Sequence, residues 1–215
     1  MTAHTESVRV RAFAGVAGPV IFTAAWIAAS LRQSGHAAMS VQLSGLAAED
    51  ARDPVIMITG FLALGGCLVA FGQELASELT GLAPRLIQAA GVLTVAAGLL
   101  RRDHMELTSG PVSWHNQAHN VVSAVLYGDL ILAQLLLARG FGRVPCWRGW
   151  RPYLLASGAA TAAALAVFIP NTASPYGGVL QRVAVTIPLL TMTVVAARLG
   201  SLAKQVTITT EGGRA

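Results

Sequence analysis

Between Ala12 and Leu31 the chain carries no charged side chain. A block of about 20 apolar residues is long enough to cross a hydrocarbon core of roughly 30 Å. Five further apolar blocks follow, so the expected fold is an all-α polytopic membrane bundle in a single domain, residues 1–215. The expected spans run over 12–31, 54–72, 84–100, 114–137, 152–169 and 179–199. The first block is too long for the apolar region of a usual secretion signal, and no soluble domain follows it. It reads as a spanning helix.

Charge is scarce and unevenly placed. Only 12% of residues are charged and 54% are hydrophobic, against roughly 25% charged in a soluble domain. The net charge of +5 comes without a basic stripe bearing interleaved aromatics, which argues against nucleic acid. Basic residues concentrate in the loops on one side, notably Arg139, Arg143, Arg148 and Arg151. That asymmetry places both termini in the cytoplasm. Trp147, Trp150 and Tyr153 would form an aromatic belt beside those arginines. Cys67 and Cys146 suggest neither a disulfide framework nor a thiolate metal site. Gly60, Gly65 and Gly66 of the second block would let helices approach closely.

Polar chemistry gathers between Leu100 and Asp129. This stretch holds His104, His115 and His119, three of the five histidines, together with Asp103, Glu106 and Asp129. His115 and His119 are four apart and share a helix face. Leu126 and Asp129 are read on nearly the same face, directed into the bundle because an ionisable group facing lipid is costly. Arg101 and Arg102, at the end of the third block, would snorkel to the headgroups. Arg182 lies a few residues into the last apolar block and needs a partner or a path to water. Asp103 is its natural bidentate partner.

The segments G-V-L-T-V-A-A-G-L-L-R-R-D-H and Q-A-H-N-V-V-S-A-V-L-Y, with G-G-V-L-Q-R-V near Arg182, resemble the bacterial membrane family called domain of unknown function 998. Asp103 and His119 match the aspartate and histidine of that pattern, and Gly178 and Arg182 match its G-x-x-x-R start of the last helix. M-S-V-Q-L-S-G-L resembles a Ser-rich entry to the second span. The resemblance implies six spans in a bacterial cytoplasmic membrane and no particular activity.

Two functions compete. In the first, the protein is an enzyme performing acid–base isomerisation or cyclisation on a lipophilic molecule that enters from the bilayer, as membrane terpene cyclases do. His119 and His115 would act with Asp103, Asp129 or Glu106 as acid or base. Arg182, Trp114, Tyr127 and Trp26 would line the substrate site, the aromatic faces stabilising a cation. In the second, it is a small transporter, a lipid-binding protein or a scaffold. No cofactor is expected. A divalent ion held by some of His36, His104, His115, His119 and Asp103 is the less favoured alternative, because Asn116 replaces the glutamate of an H-E-x-x-H motif. The expected partners are membrane lipid and a lipophilic small molecule; oligomeric state is left open.

Overall fold

The computed structural model describes residues 2–35, 37–107 and 110–212, with side chains placed over 11–35, 38–107 and 110–202. His36, one of the candidate metal ligands, lies outside the described residues. The helices are α1 (Thr2–Arg32), the short α2 (Ala37–Ser40), α3 (Val55–Glu78), α4 (Leu82–Leu99), α5 (Trp114–Phe141), α6 (Arg151–Phe168) and α7 (Gly177–Gly212). Among the described residues there is no strand. Among the described residues six helical segments are long and apolar enough to cross a membrane: Arg11–Arg32, Val55–Glu78, Leu82–Leu99, Trp114–Phe141, Pro145–Asn171 and Gly177–Leu202. The chain is a multi-pass membrane protein of the all-α class.

Consecutive spans are neighbours. α3 packs between α1 and α4, α4 on α5, α5 on α6, α6 on α7, and α7 returns to α1. The ring is uneven, since α5 and α7 scarcely touch and α6 bridges them. The tightest crossing is α3 on α4. A Cβ added at Gly65 would lie 2.5 Å from the Gly91 carbonyl oxygen, and one at Gly91 would lie 2.6 Å from that of Gly65. Without a hydrophobic drive between helices in lipid, such close backbone contact is a main source of association.

The structure departs from the sequence expectations at helix ends and loops. α3 continues to Glu78 and carries Gln73 and Glu74 inside it rather than closing before them. The connection after α1 is not a plain polar loop. Leu43–Ala47 forms a 3-10 turn whose five residues are all buried. It sits as a plug at the end of the bundle where α1 and α4 finish and α3, α5 and α7 begin; we call this the polar end. Arg101 does not snorkel outward: its Nε and Nη2 donate to the Ala47 and Ala48 carbonyls at 3.0 and 2.8 Å, tying the plug to α4. At the opposite end Trp147 is buried rather than part of an interfacial belt. A 3-10 turn begins at Pro145 and lays the indole on Phe141, with centroids 4.1 Å apart and rings nearly parallel.

If backbone proximity at the α3–α4 crossing holds the ring, Gly65→Ala or Gly91→Ala is expected to destabilise the protein by about 1–3 kcal/mol, the usual cost of overpacking. A lowered thermal midpoint in detergent is the readout, and an unchanged midpoint contradicts it.

Candidate functional site

A helix ends with carbonyls that have no partner within it, and in a membrane these must be satisfied by protein. α4 ends at Leu99, and α5 supplies the donors. His119 Nδ1 lies 2.9 Å from the Ala97 carbonyl oxygen and 2.8 Å from that of Leu100. His115 Nδ1 lies 2.9 Å from the Arg101 carbonyl oxygen. Carbonyl oxygens only accept, so the His119 proton is assigned to Nδ1. That leaves Nε2 with a lone pair, 3.3 Å from Ser123 Oγ, whose hydroxyl donates to it. His119 is only 4% exposed.

The turn that brings α5 into place is built on Asp103. Its carboxylate accepts the Ser113 amide at 2.7 Å and the Ser113 hydroxyl at 2.5 Å. Ser113 in turn caps α5 by accepting the Asn116 amide. Asn116 Oδ1 completes the loop by accepting the Asp103 amide at 3.0 Å. These bonds, the hydroxyl's first, hold the Asp103 carboxyl below the usual carboxylate range, and the nearby His115 and His104 act in the same direction. His115 Nε2 is 3.6 Å from Asp103 and 3.9 Å from Glu49. His104 pairs with Asp50 at 3.3 Å.

The expected Asp103–Arg182 pair does not form. Arg182 is 8% exposed and its Nη1 donates to the Val41 carbonyl at 2.8 Å, its Nη2 to Ser30 Oγ at 3.0 Å. Its guanidinium lies 5.0 Å from the centroid of Trp26, a cation–π contact. Gly178 makes this approach possible, since a Cβ there would lie 2.5 Å from the Val41 carbonyl oxygen and 2.8 Å from Arg182 Nη1. Arg182 and Trp26 thus meet at the α1–α7 contact, with the buried Arg182 Nε left without a hydrogen-bond partner among the described residues.

His119 lines two spaces. One is a partly enclosed cavity of about 50 Å³ at the centre of the ring, walled by Phe22, Phe61, Thr94, Leu126 and Leu189 among others. The other is a groove of about 670 Å³ between α5 and α6, running toward Thr172. Ser44, His119, Ser123, Tyr127 and Gln181 line both and form the wall between them. Gln181 is fixed there: its Oε1 accepts the Leu43 amide at 2.5 Å and its Nε2 donates to Tyr127 Oη at 2.8 Å. Tyr127 Oη accepts in that bond, so its own proton is available to a molecule in the groove. Exposed Ala124, Gly128, Ala166 and Ile169 rim the groove, which therefore opens sideways toward lipid.

The other candidates stand apart from this wall. Asp129 lines neither space; ten residues beyond His119 it lies about 80° round the helix, on the flank away from Tyr127. Glu106 and Arg102 border a polar recess that adjoins the groove at Gln42 and Thr172. Trp114 is 74% exposed and meets the His115 ring edge-on. Among the described residues no group of three His, Cys, Asp or Glu side chains is placed to hold a metal ion. Sequence reasoning missed Ser44, Ser123 and Gln181. Ser123 had a signal, since it follows His119 by four residues on a helix. The other two come from distant segments joined only by the buried plug.

Because Asp103 has a lowered folded-state pKa, it contributes stability that is present above the ordinary carboxylate range and lost as pH falls through the folded value. Unfolding midpoints measured across acidic pH are expected to fall in the wild type and to lose that part of the slope in Asp103→Asn. Parallel curves for the two proteins contradict the assignment.

Comparison with known proteins bears on kinship. Neither the curated proteins nor the solved structures give a match. One family model does, over residues 16–198, which takes in four spans whole and most of the first and the last. The chain belongs to that family, described as Protein of unknown function (DUF998).

Proposed function

We propose that this is a membrane enzyme catalysing proton transfer, of the isomerisation type, on a lipophilic molecule that enters sideways through the α5–α6 groove. One observation carries the reading. His119 is buried with Nδ1 committed to the end of α4, while Nε2 keeps its lone pair toward Ser123 at the groove wall. A general base needs a fixed orientation and a basic nitrogen, and the Ser123 hydroxyl that donates to Nε2 is placed to pass a proton from the groove to it. The groove volume of about 670 Å³ falls within the roughly 300–1,000 Å³ of small-molecule sites.

The residues divide the work as follows. His119 Nε2, directly or through the Ser123 hydroxyl, takes a proton from a carbon beside a carbonyl. Tyr127, held by Gln181, donates a hydrogen bond to the oxygen where negative charge develops. The same imidazolium returns the proton at another carbon, so atoms and charge balance without a cofactor. The cyclase variant, in which a buried carboxylic acid protonates an alkene, lacks an acid at the groove wall, because Asp129 and Glu106 do not line it. In this reading both termini lie in the cytoplasm and the polar end is on the outer face of a bacterial cytoplasmic membrane, an orientation that the distribution of basic loops supports. Binding without turnover, the carrier or scaffold reading, is the rival.

The test separates chemistry from folding. His119→Asn keeps an amide donor for the α4 carbonyls and removes Nε2. Lipid extracts of membranes holding the wild type are compared with those holding this variant and with membranes lacking the protein. A lipophilic species converted by the wild type and slowed by about 10²–10⁴-fold in His119→Asn, with the thermal midpoint kept, is the expected result. Tyr127→Phe is expected to slow the same conversion. Equal lipid profiles in all membranes favour the carrier or scaffold and overturn the enzyme.

A further inference from the structure

The polar recess beyond the groove is a second feature of the same end of the bundle. It has a volume of about 230 Å³ and is lined by Ser40, Gln42, Arg102, Glu106, Thr172 and Ser174, among others. Gln42 and Thr172 also line the groove, so recess and groove adjoin at these two residues. Gln42 is held between them: its Nε2 donates to the Thr172 carbonyl at 3.2 Å, and its Oε1 accepts Arg102 Nη1 at 3.3 Å.

Arg102 is the unusual member. It is 5% exposed, yet among the described residues no carboxylate lies within ion-pair distance of it. Burial lowers its pKa, and the fields of Asp50 and Asp103 act against that effect. A guanidinium stays charged and presents a fork of donors suited to phosphate. Gln42 takes one of those donors in the only hydrogen bond made by the Arg102 side chain among the described residues. Glu106 stands exposed on the rim of the same recess and sets a negative charge outside the positive one. Arg182 has no such role, since it faces neither space.

We propose that this recess is a head-group subsite for a single-chain amphiphile bearing a phosphate followed by an ammonium, its chain lying in the α5–α6 groove. The phosphate takes the remaining donors of Arg102, and the ammonium lies outward against Glu106. The hydrocarbon chain covers Ile131, Leu165 and Phe168 of the groove, and the linkage between head and chain passes Gln42 toward the His119 wall. The proposal rests on the reading that the groove admits a lipophilic molecule, and it names the class of that molecule.

Binding to the full chain in neutral detergent tests it with four probes: lysophosphatidylethanolamine, lysophosphatidic acid and monoacylglycerol of matched chain, and glycerophosphoethanolamine, which has the head alone. The lyso-phosphoethanolamine is expected to bind at least about tenfold more tightly than the monoacylglycerol, and the chainless head to bind negligibly. Arg102→Gln is expected to bring the phosphate probes down to the monoacylglycerol level. If that variant does not fold, Arg102→Lys, which keeps the charge and loses the fork, is expected to narrow the gap. Glu106→Gln is expected to turn preference toward lysophosphatidic acid. Gly128→Trp fills the groove at a position where an added side chain has open space, and is expected to weaken every chain-bearing probe.

The outcomes separate the two readings. Equal wild-type affinity for lyso-phosphoethanolamine and monoacylglycerol, with both lost in Gly128→Trp, overturns the head-group subsite and leaves the groove. Chain-bearing probes unaffected by Gly128→Trp overturn the groove as well. Tight binding of the head alone also counts against the proposal, because it removes the need for a chain.

Discussion

The end of α4 is the constraint on which the polar end depends. In hydrocarbon an unpaired carbonyl costs several kcal/mol, and α4 stops with its last carbonyls pointing at α5. His115 and His119 close that gap with ring N–H donors, while Arg101 carries the same chain end across to the Leu43–Ala47 plug. One helix terminus is thus bonded to the next helix and to a distant loop at once. The proton on Nδ1 of His119 follows from this structural duty, and so does the lone pair left on Nε2. What makes the ring a candidate base is the same bonding that makes it a cap.

Asp103 belongs to the structural side of that arrangement. It takes two hydrogen bonds from Ser113, and through Ser113 and Asn116 it fixes where α5 starts. The residue pattern Asp103…His119 therefore reads as one device: the aspartate sets the position of the helix and the histidine, in the second turn of α5, uses that position. An aspartate matched to the family pattern attracts a catalytic reading, yet its geometry here is that of a cap partner.

The six spans were legible because period and length are local properties: a block without charge is apolar whatever surrounds it. The match of His119 to the polar end was legible for a similar reason, since depth follows from position along a helix. What was hidden depends on side-chain direction and on contacts between distant segments. The sequence suggests the His119 face for Asp129, but ten residues of helix turn it away. Charge alone pairs Arg182 with Asp103, whereas Gly178 lets the Val41 carbonyl and Trp26 reach it first. The buried plug at Leu43–Ala47 has no signature at all, because five residues carry no period, and Gln181 acquires a role only by meeting it.

Two buried arginines at one end of a membrane bundle invite a common explanation, and the structure argues against one. Arg182 is enclosed by a carbonyl, a hydroxyl and an indole face, and lines neither the groove nor the recess. Its two Nη groups are bonded within the fold, while its buried Nε has no hydrogen-bond partner among the described residues. Arg102 borders an open recess with one neutral partner, and its counter-charges act from a distance. The difference comes from what surrounds each guanidinium. At the α1–α7 contact the Val41 carbonyl, Ser30 and Trp26 stand close enough to hold Arg182. Arg102 lies instead between α4 and α5, at a recess walled by the segments that carry Ser40, Gln42, Glu106 and Thr172, where the Gln42 side chain accepts from it. Helix faces form the groove and connecting segments form the recess, and the two adjoin where Gln42 and Thr172 line both.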